Sequence, residues 1–80
     1  MRIAVEMSLY PLTDEFIPPI LDFIARLKAH PRLAIVTNAM STQVSGDLGD
    51  VFDALRAEIA GTFASPRRSV FVMKVLGGGD

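Results

Sequence analysis

The densest group of side chains able to do chemistry lies in the middle of this chain, from Thr37 to Gly46. Within it, Asn38, Ser41 and Thr42 can donate and accept hydrogen bonds without carrying charge. When a few such groups converge on an apolar wall, they form the usual recognition surface for a small molecule. The same pattern is typical of the solvated face of an ordinary β-hairpin, and the local sequence alone favours that simpler interpretation.

The sequence offers little for catalysis or metal binding. It contains no cysteine, which excludes disulfides, thiolate metal sites and a cysteine nucleophile. Its single histidine, His30, has no cluster of further ligands beside it, so we expect it to interact with a helix C-terminus rather than with a metal. No nucleophile paired with a base is visible. We therefore predict a protein that is not an enzyme and that carries no cofactor or metal.

Composition excludes further classes. The eight Lys and Arg residues are scattered and the net charge is −1, so no basic stripe follows a phosphate backbone. No apolar run approaches the roughly 18 residues of a membrane span. Met1-Arg2 leads directly into a predicted strand rather than into a signal peptide. We expect a cytoplasmic protein that binds no nucleic acid and does not span a membrane.

The hydrophobic pattern predicts four strands and two helices. Alternation with a period of two residues indicates strands, while apolar residues at helical spacing indicate helices. Strands are predicted at residues 2–10, 33–38, 41–45 and 69–76, and helices at about 16–29 and from 47 onward.

Local signals mark the starts of the two helices. Thr13 or Asp14 can cap the first helix, but Pro18-Pro19 favours a late start of the regular helix, near Phe16. Asp47 is predicted to cap the second helix.

Other signals mark where elements end. Pro11 is predicted to end the first strand, because proline cannot donate to the ladder. Gly61 is expected to mark fraying at the far end of the second helix. Residues 77–80 are predicted to be a flexible glycine-rich tail, which leaves one domain at residues 1–76.

The order β-α-β-β-α-β predicts an α+β, ferredoxin-like fold. Right-handed crossovers place both helices on one face of a four-stranded antiparallel sheet with strand order 4-1-3-2. The other face carries apolar residues such as Ala4 and Tyr10, and no predicted element covers it. A homodimer, or a dimer of dimers, that packs through these faces is the simplest way to bury them.

Three motifs resemble the YkoF-like family of thiamine- and hydroxymethylpyrimidine-binding proteins. They are Ser8-Leu9-Tyr10-Pro11-Leu12, Met40-Ser41-Thr42-Gln43-Val44-Ser45-Gly46 and Asp50-Val51-Phe52-Asp53-Ala54-Leu55, and the resemblance extends from Arg2 to Leu76. It implies binding of thiamine or its pyrimidine moiety without chemical change, on ferredoxin-like domains paired through their sheets. The best-known relative has two such domains in tandem, so a homodimer of this single domain would replace that pair.

The chemistry of the ligand that the resemblance implies suits particular residues of this chain. Asn38, Ser41, Thr42 and Ser8 match the donors and acceptors of an aminopyrimidine, and strand alternation suggests that only one of Ser41 and Thr42 contacts it. Tyr10, Met40 or Met73 could lie against the ring, and Tyr10 or Glu6 could attract the thiazolium cation. Glu6 could instead pair with Lys74 on the neighbouring strand. The predicted ligand-binding residues are Glu6, Ser8, Tyr10, Asn38, Met40, Ser41 and Thr42.

Two functions remain open from the sequence. The first is non-catalytic binding of thiamine or hydroxymethylpyrimidine for salvage, transport support or storage, in a pocket at the sheet face of a homodimer. The second is a ligand-free oligomerisation or regulatory domain on the same fold, since a fold alone does not determine a function.

Overall fold

The computed structural model describes residues 1–78 and has the predicted order of elements. The four strands form one antiparallel sheet in the order β2-β3-β1-β4, which is the predicted order counted from the other edge. The predicted ferredoxin-like fold is therefore confirmed. The elements are β1 (Arg2–Pro11), α1 (Ile17–Lys28), β2 (Ala34–Thr37), β3 (Thr42–Asp47), α2 (Leu48–Phe63) and β4 (Ser69–Gly77).

The core lies between one face of the sheet and the two helices. Every second residue of β1 is buried in it: Ile3, Val5, Met7 and Leu9. The helices contribute buried residues at helical spacing, as an amphipathic stripe requires. Phe23 of α1 packs against Phe71 of β4, with ring centroids 4.9 Å apart. The remaining buried apolar residues of this core are Leu27, Val44, Val51, Ala54 and Leu55.

The first helix starts late, as Pro18-Pro19 predicted. Its N-cap is Phe16, which makes no capping hydrogen bond through its side chain, so the prediction of a cap at Thr13 or Asp14 is wrong. The two prolines occupy the first turn, where a missing N–H costs no intrahelical hydrogen bond. Within residues 1–78, neither helix has the length and apolar character needed to cross a membrane.

The second helix begins directly after Asp47, which caps it as predicted. The Asp47 carboxylate accepts a hydrogen bond from the Gly49 N–H at 3.1 Å, and Asp50 lies in the first turn. Gly61 does not mark fraying, because the helix continues through it to Phe63. A Cβ at position 61 would lie 2.6 Å from Nη1 of Arg26, so the glycine makes room for that side chain.

Both β1 and β4 extend further than the sequence predicted. Pro11 is the last residue of β1 and lies opposite Ser69, so proline does not stop the strand before position 11. Gly77, which the sequence places in the tail, is the last residue of β4 and pairs with Ile3. Residues 79–80 of that tail lie outside the described residues.

The other face of the sheet is uncovered by any element of residues 1–78, as predicted. Tyr10, Val36, Val72 and Leu76 are between 54% and 73% exposed there. Tyr10 alternates with the buried residues of β1, and Val72 and Leu76 lie opposite Ser8 and Ala4 on the same face of the sheet. The homodimer that would bury this face stays a prediction.

Candidate functional site

A cavity of about 310 Å³ lies where β1 and the β2–β3 hairpin separate. The pairing of β1 with β3 stops at Met7 and Thr42, whereas β1 continues to Pro11 alongside β4. The hairpin loop and α1 enclose the space that this leaves beside the end of β1. The cavity therefore lies at the end of the sheet next to α1, and the sequence predicted a pocket between sheet faces or at their edge. Its lining residues are Met7, Ser8, Leu9, Tyr10, Pro11, Phe16, Ile20, Phe23, Ile24, Thr37, Asn38, Ala39, Met40, Ser41 and Thr42.

Asn38 shapes the hairpin loop through its side chain. Its Oδ1 accepts hydrogen bonds from the N–H groups of Met40 at 2.8 Å and Ser41 at 3.0 Å. Its own backbone N–H donates to the Ser41 carbonyl at 3.1 Å. Tight hairpin turns usually need residues with positive φ, and none outside glycine occurs in residues 1–78, so the amide side chain closes the loop instead. The Asn38 NH₂ group makes no hydrogen bond within residues 1–78, and Asn38 borders the cavity.

Thr37 and Thr42 face each other across the hairpin. Their hydroxyl oxygens are 2.9 Å apart, so one hydroxyl donates to the other. The accepting hydroxyl keeps its own proton, which leaves one donor of this pair available to a molecule in the cavity. Thr42 is 7% exposed, while Ser41 is half-buried at the loop. Both border the cavity, and which of the two contacts a ligand stays a prediction.

Ser8 and Tyr10 bring the end of β1 to the same cavity. The Ser8 hydroxyl donates to the Met40 carbonyl at 3.3 Å and so links β1 to the hairpin loop. Its oxygen can still accept a hydrogen bond. Tyr10 is 54% exposed and lies where the cavity meets the uncovered sheet face.

Glu6 is the one predicted site residue that does not border the cavity. It lies in the middle of β1, opposite Gln43 on one side and Lys74 on the other. The register allows the pair with Lys74 that the sequence left open, but among residues 1–78 the two side chains form no ion pair. Met73 lies opposite Met7 and is also absent from the cavity lining.

The apolar wall was missed by the sequence analysis. It comes mainly from α1, through Phe16, Ile20, Phe23 and Ile24. These residues form the apolar stripe that predicts a core-facing helix, and the stripe carries no sign that part of it faces a cavity rather than the core. Phe16, at 49% exposed just before the helix, forms the outer part of the wall.

The charged residues with shifted pKa values lie away from the cavity. Glu58 of α2 binds Nη1 of Arg26 at 2.8 Å and Nε2 of His30 at 2.8 Å. The bond to His30, followed by that to Arg26, lowers the pKa of Glu58, although burial opposes the shift. Burial would lower the pKa of Arg26, but its bonds to Glu58 and Asp22 raise it.

The contacts of Arg26 and His30 with Glu58 hold α1 and its C-terminal end against α2. The Arg26 guanidinium also donates to the Thr62 hydroxyl at 2.8 Å and to the Glu58 carbonyl at 2.9 Å. The prediction that His30 interacts with the helix C-terminus holds only for its backbone N–H, which donates to the Leu27 carbonyl, because its ring binds Glu58. Among residues 1–78, no group of three or more His, Asp or Glu side chains is arranged to hold a metal ion.

The cavity combines uncharged hydrogen-bonding groups with an apolar wall. None of its lining residues, all of them within the described chain, carries a charged side chain. Uncharged donors and acceptors beside an apolar wall are typical of a recognition site for a polar, planar small molecule. The fold and this cavity define a ferredoxin-like domain with a candidate ligand site at the end of its sheet.

The chain belongs to the YKOF-related family, whose sequence profile it matches over residues 2–73. Among curated proteins, none matches the sequence significantly.

Solved structures share the fold over almost the whole chain. A hypothetical protein from Methanocaldococcus jannaschii is 25% identical, with a TM-score of 0.84 over 99% of this chain and 82% of that one. A protein from Streptococcus pneumoniae is 17% identical, with a TM-score of 0.89 over 99% of this chain and 89% of that one. A candidate thiamine biosynthesis/salvage protein from Thermotoga maritima is 13% identical, with a TM-score of 0.83 over 94% of this chain and 82% of that one.

Proposed function

We propose that this protein binds thiamine, or its hydroxymethylpyrimidine moiety, without transforming it, in the cavity between α1, the end of β1 and the β2–β3 hairpin. The observation that carries the proposal is the make-up of this cavity: uncharged hydrogen-bonding groups on one side and the apolar residues of α1 on the other. Membership of the YKOF-related family supports it, as does the candidate salvage role of the Thermotoga relative. Such a protein would serve salvage, transport or storage of the vitamin.

The size of the cavity favours the pyrimidine moiety as the enclosed part. Its 310 Å³ lies at the lower end of the range of about 300–1,000 Å³ that ligand pockets span. The pyrimidine ring would lie against Phe16 and Ile20. The thiazolium of thiamine would extend to the open end, where Tyr10 offers a π-face to a cation.

The uncharged polar groups of the cavity complement those of an aminopyrimidine. The NH₂ of Asn38 and the spare hydroxyl proton of the Thr37–Thr42 pair can donate to ring nitrogens. The Ser8 and Ser41 hydroxyl oxygens can accept from the exocyclic amino group. Glu6 lies outside this arrangement and has no role in the proposed site.

The test is calorimetric titration of hydroxymethylpyrimidine and thiamine into the parent and single variants. Ser8→Ala, Ser41→Ala and Thr42→Ala each remove one hydroxyl, and loss of a contacting hydroxyl should weaken binding about twofold to tenfold, or roughly 0.5–1.5 kcal/mol. Tyr10→Ala should weaken thiamine binding further, because it also removes contact area. Glu6→Gln is the matched control and should bind as the parent does.

Asn38→Asp is the sharpest of these variants. The carboxylate can still accept from Met40 and Ser41, so the loop should keep its shape. The variant lacks the NH₂ donors, so it should lose affinity for uncharged hydroxymethylpyrimidine by about tenfold while its thermal stability stays close to that of the parent. If all the cavity variants bind ligand as the parent does, the site is elsewhere.

A second candidate function is favoured by the uncovered sheet face. The exposed apolar side chains there suit an oligomerisation or regulatory domain that binds no ligand. Bound ligand at a hundredfold its Kd stabilises the fold by about 2.7 kcal/mol, so thermal unfolding separates the two functions. No stabilisation by thiamine, its phosphates or hydroxymethylpyrimidine at millimolar concentration would favour the second.

A further inference from the structure

We propose that the backbone of Leu9 is the central recognition element of the cavity and that it selects ligands with a ring nitrogen next to an exocyclic amino group. This inference rests on the proposed function and assigns its specificity to one residue of the β1 edge. It starts from the direction in which backbone groups point along β1.

Residues of β1 alternate in the strand to which they hydrogen bond. The Leu12 N–H donates to the Arg68 carbonyl at 2.9 Å, which continues the register of β1 with β4. The Leu48 N–H donates to the Met1 carbonyl at 2.8 Å, which continues the register of β1 with β3. In an antiparallel sheet, alternate residues bond to opposite neighbours. Even-numbered residues of β1 therefore bond to β4, and odd-numbered residues direct N–H and C=O towards β3.

Leu9 is an odd-numbered residue of β1 that has no partner residue in β3. The pairing of β1 with β3 ends at Met7 and Thr42, so the register partner of Leu9 would be Met40, in the hairpin loop. No backbone hydrogen bond joins Leu9 to Met40 or to any other loop residue described in 1–78. The N–H and C=O of Leu9 consequently face the cavity, which Leu9 lines.

The backbone groups of Leu9 face a cavity that is lined by uncharged polar and apolar residues. Leu9 is only 9% exposed. Buried backbone donors and acceptors are almost always paired with protein, water or a ligand. A ligand that pairs both groups would replace the water that reaches them in the free protein.

The unpaired edge of β1 runs only from Ser8 to Pro11, and its short length limits what can bind to it. Pro11 is the next residue facing the same side, and it has no N–H. The open edge thus presents a single donor, that of Leu9, together with carbonyl acceptors. Adding a peptide strand needs a longer ladder of donors and acceptors, so a small molecule fits this edge better than a peptide does.

A single extended residue directs its N–H and C=O to the same side, with the two groups adjacent. An aminopyrimidine offers the complementary pair in one plane: its ring nitrogen accepts from N–H, and its amino group donates to C=O. Replacing the amino group by an oxo group reverses both polarities, because the ring nitrogen then carries a proton. Turning the ring over restores the pairing only by exchanging the positions of its two substituents in the cavity.

The experiment combines calorimetry with amide hydrogen exchange on uniformly ¹⁵N-labelled protein. We expect the Leu9 amide to exchange fast in the free protein and to become protected by hydroxymethylpyrimidine or thiamine. The amides of Ser8 and Tyr10, which face β4, should be protected with or without ligand. Oxythiamine, the oxo analogue of thiamine, should bind at least about thirtyfold more weakly, because two buried groups lose their partners.

A synthetic chain with an ester in place of the Leu9 amide N–H isolates that donor. It should lose about tenfold in affinity for thiamine and keep its unfolding temperature, because the missing N–H has no partner in the fold. The same replacement at Val5, which pairs with Val44 of β3, should lower the unfolding temperature instead. If thiamine binds while Leu9 stays unprotected and oxythiamine binds equally well, the inference is overturned and the proposed function stands. If neither thiamine nor hydroxymethylpyrimidine binds, both are overturned.

Discussion

Two carboxylates that bind the same guanidinium should differ widely in their contribution to stability. Glu58 reaches Arg26 from α2 and its side chain is 17% exposed, whereas Asp22 reaches it from one turn earlier in α1 and is 69% exposed. Glu58 also binds His30, so its carboxylate makes two charge-assisted contacts between elements. We therefore predict that Glu58→Gln destabilises the fold and that Asp22→Asn barely does.

The magnitude follows from the contacts. A hydrogen bond to a charged group contributes about 1.5–3 kcal/mol, and a neutral one that glutamine can keep contributes about 1 kcal/mol. With partial exposure screening both contacts, the net loss for Glu58→Gln is about 1.5 kcal/mol. For a domain of this size that lowers the unfolding temperature by roughly 6–12 °C. Asp22→Asn removes an exposed pair one helical turn apart, which contributes about 0.3–0.5 kcal/mol.

The effect should also depend on pH. The bonds to His30 and Arg26 lower the pKa of folded Glu58 below its ordinary value of 4.5. A lowered folded-state pKa stabilises the fold above the unfolded-state value, and that contribution is lost as the pH falls through the folded-state value. The gap in unfolding temperature between the parent and Glu58→Gln should narrow as the pH falls below about 4.5.

Calorimetric unfolding of the three proteins between pH 3 and pH 7 measures both effects. If Asp22→Asn lowers the unfolding temperature as much as Glu58→Gln does, burial does not distinguish the two carboxylates. A gap for Glu58→Gln that persists at the lowest pH would show that the lost contacts do not depend on the charge of Glu58.

Three further predictions concern packing and assembly. Gly61→Ala should fail to deliver the roughly 1 kcal/mol that alanine adds to a helix, because its Cβ would meet Arg26, and the gain should return in an Arg26→Ala background; urea unfolding of the four proteins checks this. Phe23→Ala should cost about 3–5 kcal/mol in urea unfolding, since Phe23 is 2% exposed and packs against Phe71, and a cost below 1 kcal/mol would contradict the core described above. Light scattering at micromolar concentration should give at least twice the chain mass of 8.7 kDa, and a value equal to the chain mass would exclude the sheet-face homodimer.

The order of the elements and several of their ends could be predicted from the sequence, because local physics decides them. Period-two alternation in β1 marks its two faces before any partner strand is known. Two adjacent prolines fit only the first turn of α1, and Asp47 satisfies the N–H groups at the start of α2 wherever that helix packs. The resemblance to a family likewise rested on contiguous motifs around Ser8 and Ser41.

The register of the sheet could not be predicted from local sequence patterns. The cavity exists because of this register. Where β3 stops relative to β1 decides that Leu9 loses its partner and that Ser8 meets the Met40 carbonyl. The difference between local patterns and long-range contacts also explains where the sequence-based expectations depart from the structure. Glu6 and Lys74 were correctly placed on neighbouring strands but form no ion pair, and His30 binds a carboxylate that lies 28 residues further along the chain. Contacts between residues far apart in sequence depend on how the helices cross the sheet, and no local pattern encodes that, whereas strand alternation, helix caps and prolines act within a few residues.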